Sequence, residues 1–228
     1  MIQLENVSKI YDNGVVALNG INIKIDKGEF VFIVGSSGSG KSTLIKLLLK
    51  EIDPTEGEVY VRNKHVNLLK KKNVHKLRRE MGVVFQDFKL LKNMNVYDNV
   101  AFGLNAVEAS KRQIRRQVPM VLSLLELSKK TKSFPTELSG GEQQRTAIAR
   151  AIVNNPSILL ADEPTGNLDP RISWEIVKHL NEINKRGTTI LVVTHDKEIV
   201  NAMQKRVITL SNGRIVSDIQ RGGYSNEN

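Results

Sequence analysis

Gly35-Ser36-Ser37-Gly38-Ser39-Gly40-Lys41-Ser42 stands between the apolar run Phe30-Val31-Phe32-Ile33-Val34 and the helix-like stretch Thr43-Leu44-Ile45-Lys46-Leu47-Leu48-Leu49. The spacing G-x-x-x-x-G-K-[ST] between a buried strand and a helix reads as a phosphate-binding loop. Small residues let the backbone wrap closely around phosphate oxygens with successive N–H groups pointing inward, where a side chain would block them. The helix that follows adds its N-terminal partial positive charge, about half an elementary charge. In this reading Lys41 sits on the β- and γ-phosphates of a nucleotide, and the Ser42 hydroxyl is a ligand of Mg²⁺.

The 228 residues suffice for one substantial core with an inserted subdomain. No apolar run reaches the ~20 residues of a membrane helix, and Met1-Ile2-Gln3-Leu4-Glu5 lacks the basic-then-apolar order of a secretory signal, so a cytoplasmic location is expected. With no cysteine, disulfides, thiolate metal sites and thiol nucleophiles are excluded. A formal net charge of +10 implies attraction to polyanions, either nucleic acid or an anionic membrane face. The basic residues cluster at Lys70 to Lys72, Lys76 to Arg79, Lys111 to Arg116 and Lys129 to Lys132.

Before the loop, Ile2, Leu4 and Val7, then Ile21-Asn22-Ile23-Lys24-Ile25, alternate as antiparallel strands with one wet face. Tyr11 lies between them beside the turn signal Asp12-Asn13-Gly14, where its ring either stacks on a purine or is simply half-buried. The helix after the loop is expected to stop near Asp53-Pro54, followed by a turn at Gly57 and a strand from Glu58. Val83-Val84-Phe85 reads as a short buried strand ending in Gln86, placed to hold a water or a metal ligand if that end meets a ligand.

From Val96 to Leu138 the pattern becomes helical, with Ile114, Val118, Val121, Leu122 and Leu125 on one apolar face. Pro119 should kink or restart that helix. Ser139 and Glu142 have capping-box spacing before a helix that Asn154-Asn155-Pro156 ends, and Gly140-Gly141 would let a phosphate approach its N-terminus. Ile158-Leu159-Leu160-Ala161 is a buried strand ending in Asp162-Glu163. Beside a phosphate loop, this pair divides its work: Asp162 acts on Mg²⁺, and Glu163 orients and deprotonates the attacking water. Asn167-Leu168-Asp169-Pro170 turns into another helix, with Trp174 off its apolar stripe. His195 follows the strand Thr189 to Val193, where it is either structural or within reach of a γ-phosphate. Asn212-Gly213 marks a hairpin, and the tail Arg221 to Asn228 is expected to be mobile.

As an ordered set, the loop, Leu138-Ser139-Gly140-Gly141-Glu142-Gln143-Gln144-Arg145 and Ile158 to Pro164 closely resemble the ATP-binding subunits of ABC transporters. The resemblance implies an α/β fold: a P-loop NTPase (RecA-like) core of mixed sheet with an N-terminal antiparallel β subdomain and an inserted α-helical subdomain. The core would take residues 1–86 and 139–228, and the helices about 87–138. It implies ATP and Mg²⁺ as ligands, with Gly35 to Thr43 around the phosphates and Tyr11 on the adenine. Gln86, Asp169 and His195 fall at the family's Q-loop, D-loop and switch histidine, so that Gln86 serves catalysis and the metal and His195 serves catalysis. It further implies that two copies face head to tail, each ATP lying between the loop of one chain and Ser139, Gly140 and Gly141 of the other. The ATP cycle would then drive an integral membrane subunit from the cytoplasmic face of the membrane.

Within the family, Glu163 to Asp169 resembles a subgroup that includes lipoprotein-release, macrolide-efflux and cell-division ATPases; many other members carry Ser-Ala where this chain has Gly166-Asn167. Gly82 to Leu91, Tyr11 to Gly14 and Phe134 to Leu138 look most like the cell-division members, which act with a membrane protein at the division site to regulate peptidoglycan hydrolases. Lipoprotein release or macrolide efflux is the alternative. Specific nucleic-acid binding is not expected, because such relatives carry two ATPase domains, a long coiled coil or cysteine metal sites. Glu142, where many members have Gln, is a small departure from the pattern.

Overall fold

A computed structural model describes residues 1–222. The chain begins with strands β1 (Ile2–Ile10), β2 (Val16–Ile25) and β3 (Phe30–Val34), helix α1 (Lys41–Leu48), strands β4 (Glu56–Val61) and β5 (Lys64–His65) and helix α2 (Val74–Arg78). Strand β6 (Met81–Val84) precedes helices α3 (Val96–Asn105), α4 (Lys111–Leu124) and α5 (Gly140–Ile152), strand β7 (Ile158–Asp162) and helix α6 (Pro170–Lys185). Strand β8 (Thr189–Val193), helix α7 (Lys197–Met203) and strands β9 (Arg206–Ser211) and β10 (Arg214–Ile219) complete it. The described chain forms two compact units, one of Met1–Arg78 with the chain from Thr189 onward, the other of Arg79–Thr188.

In the first unit, β2, β1, β4 and β5 pair antiparallel in that order. Their alternation puts Ile2, Leu4, Val7, Ile21, Ile23 and Ile25 inside and polar residues outside, as the sequence pattern requires. Strand β3 lies between parallel β8 and β9, and β10 pairs antiparallel with β9, which makes this sheet mixed. A strand covered on both faces has no wet side, so Val31, Phe32, Ile33 and Val34 are completely buried. Each such side chain contributes about 1.5–3 kcal/mol by leaving water. The β9–β10 turn has Asn212 at φ 46 and Gly213 at φ 73, the left-handed pair a two-residue hairpin needs.

Two expectations fail in this unit. Helix α1 ends at Leu48, well before Asp53-Pro54: Lys50 takes a left-handed conformation, its N–H donates to Leu47 O (3.0 Å), and Glu51 N–H donates to Lys46 O (2.9 Å). This is a Schellman closure with lysine where glycine is usual, hence invisible to a search for glycine. Gly57 is not a turn: it lies inside β4 at φ 79, opposite a bulge of β1 at Asn6 and Val7, and a Cβ there would come within 2.3 Å of Asn6 O.

In the second unit β6 and β7 pair in parallel, from Met81 with Ile158 to Val84 with Ala161. Helix α5 lies close against β6: a Cβ on Gly82 would sit 2.4 Å from Ala151 O. Helix α4 buries Val118, Leu122 and the following Leu125 along the expected stripe. Pro119 does not restart it: α4 runs through Pro119 as one continuous helix. Pro119 and Arg115 are both exposed, so the carbonyl that loses its i+4 donor faces water. Ser110 and Gln113 close a capping box at its start. The expected mobile tail lies outside the described residues from 223 onward, while Gly222 N–H donates to Lys205 O (2.9 Å).

Candidate active site

In the first unit the loop of residues 35–40 springs from the carboxyl end of β3. Gly40 at φ 108 caps α1 without any side-chain hydrogen bond, and no acidic residue lies in the first turn, so the helix N-terminus keeps its N–H groups for a ligand. Backbone crowding explains two of the glycines. A Cβ on Gly35 would lie 2.2 Å from Leu210 O, and one on Gly40 would lie 2.5 Å from Ala17 O, whereas Gly38 faces open space. Ser36, Ser37, Gly38 and Ser42 are exposed; Ser39 is buried, its Oγ without a hydrogen-bond partner among the described residues. Lys41 curls back over the loop, its Nζ donating to Gly35 O and Ser36 O (2.8 Å each). A concave run of amides, a flexible ammonium and an unused hydroxyl fit a polyphosphate.

The same unit brings two further candidates to this loop. Tyr11 is half-buried, and its hydroxyl lies 3.2 Å from Thr43 Oγ1 in the first turn of α1. His195 is exposed after β8, whose last residues align with those of β3; Thr194 N–H donates to Ile33 O (3.1 Å), which fixes that end beside the start of the loop.

The second unit carries the remaining candidates. Gln86 and the Asp162-Glu163 pair stand at the carboxyl ends of the parallel strands β6 and β7. Glu163 has φ 48, a left-handed conformation unusual for a residue with a Cβ and of the kind found where a site needs a particular backbone direction. The turn that follows touches Gln86 directly: Asn167 Nδ2 donates to Gln86 O (3.2 Å), and a Cβ on Gly166 would stand 3.1 Å from Gln86 Nε2. Asp169 is exposed and caps α6 by accepting from Ile172 N–H (3.0 Å), with Pro170 in the first turn.

Ser139 and Glu142 form the expected capping box: Ser139 Oγ accepts from Glu142 N–H (3.3 Å), and Glu142 Oε2 accepts from Ser139 N–H (2.9 Å). The Ser139 N–H, helped by Lys130 Nζ at 3.1 Å, holds the Glu142 carboxyl below its ordinary value. The N–H groups of Gly140 and Gly141 remain without intrahelical partners. Gly141 also has a packing reason, since a Cβ there would meet Ile172 Cγ2 at 2.6 Å. Arg145 reaches Glu175 on α6 (3.6 Å), and burial pushes the neighbouring His179 down.

Two residues that hold these parts in place escape a motif search. Asn99, fully buried on α3, accepts from Leu91 N–H (2.8 Å) and donates to Leu91 O, Met94 O and Asn95 O at 2.8–3.0 Å. A polar residue amid Val96, Val100 and Leu104 was the available signal. Arg150 of α5 donates to Lys89 O (2.7 Å) and Phe88 O (3.0 Å), clamping two consecutive left-handed residues just after Gln86. Burial lowers the Arg150 guanidinium from its ordinary value.

Residues 18–166 match the ABC transporter family, and the chain belongs to that family as an ATP-binding, ATP-hydrolysing subunit. It is 53% identical over 224 residues to the cell division ATP-binding protein FtsE of Bacillus subtilis, covering 98% of both chains. It is 56% identical over 225 residues to FtsE of Mycobacterium tuberculosis, again covering 98% of both. With FtsE of Escherichia coli it shares 44% over 227 residues and the full length of both chains. Among solved structures, the dimeric ABC transporter cassette MJ0796 superposes with a TM-score of 0.87 at 39% identity, covering 98% of this chain and all of that one. A post-hydrolysis MJ0796 dimer bound to ADP and Pi gives 0.87 at 38% with the same coverage. These comparisons bear out the expected α/β fold and family.

Proposed function

We propose that the chain acts in cell division as the ATPase of an ABC-type complex, paired with an FtsX-like integral membrane permease at the division site. There it converts ATP hydrolysis into control of peptidoglycan hydrolases. The observation that carries this reading is its 44–56% identity to FtsE proteins of three bacteria over almost the whole of each chain.

In the proposed cycle the Gly35 to Ser42 loop and Thr43 hold the ATP phosphates and Tyr11 supports the base. Lys41 exchanges the Gly35 and Ser36 carbonyls for β- and γ-phosphate oxygens. Ser42, Gln86 and Asp162 are oxygen donors of the kind Mg²⁺ takes when phosphate oxygens complete its shell. Held by these three residues, the ion would supply neutralisation of the charge that builds on the phosphates. Glu163 deprotonates the attacking water, His195 meets the γ-phosphate, and Ser139, Gly140 and Gly141 of a second copy close over it, with Asp169 at that interface. Release of phosphate removes those contacts and opens the dimer, which is the mechanical step passed to the membrane subunit.

The test is to purify a tagged copy from detergent-extracted cells and identify the membrane protein that accompanies it, in parallel with Glu163→Gln in solution. An FtsX-type partner, and an ATP-dependent dimer of the variant that hydrolyses ATP at least a hundredfold more slowly, are expected. A solute- or lipoprotein-exporting permease as the stable partner would overturn the cell-division reading.

A further inference from the structure

The segment from Arg62 to Arg78 in the first unit plays no part in the site described above. No Asp or Glu occurs between Glu58 and Glu80, while Arg62, Lys64, Lys70, Lys71, Lys72, Lys76, Arg78 and Arg79 all fall in that interval. Val66 and Leu77 are buried and anchor the segment, and Arg78 Nε donates to Leu49 O at the end of α1 (2.9 Å). Lys50 Nζ also donates to Asn67 O (2.9 Å). Between those anchors the chain turns its charge outward. Lys70, Lys71, Lys72 and Lys76 are exposed and have no acidic partner among the described residues. Beside them Leu68 is 74% exposed, the most exposed large apolar side chain among the described residues.

Four unneutralised ammonium groups beside one protruding aliphatic side chain suit an anionic, deformable surface into which an apolar group can sink. We propose that Leu68 and the lysines of residues 70–76 dock this chain directly on the anionic lipids of the membrane. The proposal rests on the reading above that the chain works at a membrane, and it adds a contact independent of the membrane subunit. Nucleic acid is the competing polyanion and suits the segment less well. No Phe, Tyr or Trp lies between Val61 and Val84 to stack on a base, and α2 is only five residues long, too short to lie along a groove. The long stems also matter: flexible lysines keep their charge at the headgroups while an adjacent Leu side chain dips below them.

The experiment is co-sedimentation of the full chain with vesicles of phosphatidylcholine alone and of an equal mixture of phosphatidylcholine and phosphatidylglycerol. Binding to the mixed vesicles only, weakening as salt rises, is expected. Replacing Lys70, Lys71 and Lys72 together by Gln should lower the partition coefficient about a hundredfold, each lysine near an anionic surface being worth about fivefold. Leu68→Ser should lower it severalfold without changing the salt dependence. The same replacement of Lys111, Arg112, Arg115 and Arg116 on α4 should leave it unchanged. Failure to bind mixed vesicles overturns the proposal, as does loss of binding in the α4 variant but not in the Lys70–Lys72 variant. Vesicle binding that survives the Lys70–Lys72 change while RNA binding is lost assigns the segment to nucleic acid instead. ATP hydrolysis without vesicles should stay at the parental rate in all these variants. A chain that binds mixed vesicles but hydrolyses no ATP would sink the ATPase role and leave the lipid contact standing.

Discussion

Glu163 joins a backbone peculiarity to a proposed chemical role, and the two can be separated by a pair of substitutions. At φ 48 any residue with a Cβ is crowded by its own carbonyl, at a cost of about 1–2 kcal/mol that glycine does not bear. Glycine in turn loses about 0.5–1 kcal/mol relative to alanine through its freer unfolded chain. Glu163→Ala and Glu163→Gly both delete the carboxylate and whatever it touches, so their difference isolates the backbone. The glycine variant should be the more stable by about 1 kcal/mol, the reverse of the usual order, which for a chain of this size is roughly 2–4 °C in Tm. Both should lose the general base and hydrolyse ATP about 10²–10⁴ times more slowly. Urea or thermal melts measure the first quantity and a phosphate-release assay the second. An alanine variant as stable as the glycine variant would refute the strain, and parental turnover in either would refute the base.

The Ser139–Glu142 box makes part of the stability acid-sensitive. The folded Glu142 carboxyl lies below its ordinary 4.5, so its stabilisation is fully present above that value and fades as pH falls through the lower, folded value. Glu142→Gln should therefore flatten the stability curve below about pH 4.5, read by urea melts across pH, and an unchanged acid limb would count against the box. Arg150→Met should remove both bonds to the Phe88 and Lys89 carbonyls and lower stability by about 2–3 kcal/mol in the same melts, with Arg150→Lys recovering less than half because an ammonium cannot fork. A loss below about 0.5 kcal/mol would show that those two left-handed residues hold themselves.

What the sequence made legible was mostly local. The loop, the capping box and the Asn212-Gly213 hairpin each depend on residues a few positions apart, so spacing alone encodes their geometry. The end of α1 failed that reading because Lys50 performs a closure usually given to glycine, and the restart expected at Pro119 failed because an exposed position tolerates a lost hydrogen bond. The supports around Gln86 were beyond reach for a different reason. Arg150 meets Phe88 and Lys89 across some sixty positions of chain, and nothing in either stretch announces the other. Tyr11, Gln86 and His195 were ambiguous as single residues and acquired meaning only as members of an ordered set.

The contact between the 166–167 turn and Gln86 also bears on how such chains can diverge. A side chain at 166 would reach within 3.1 Å of Gln86 Nε2, so the glutamine amide would have to yield by a few tenths of an ångström, and replacing Asn167 would release the glutamine's main-chain carbonyl. A Ser-Ala pair placed in this turn would therefore require the Gln86 amide to shift. Positions 166 and 167 thus set Gln86 together, and their coupling would appear as non-additivity in a double-mutant cycle on hydrolysis.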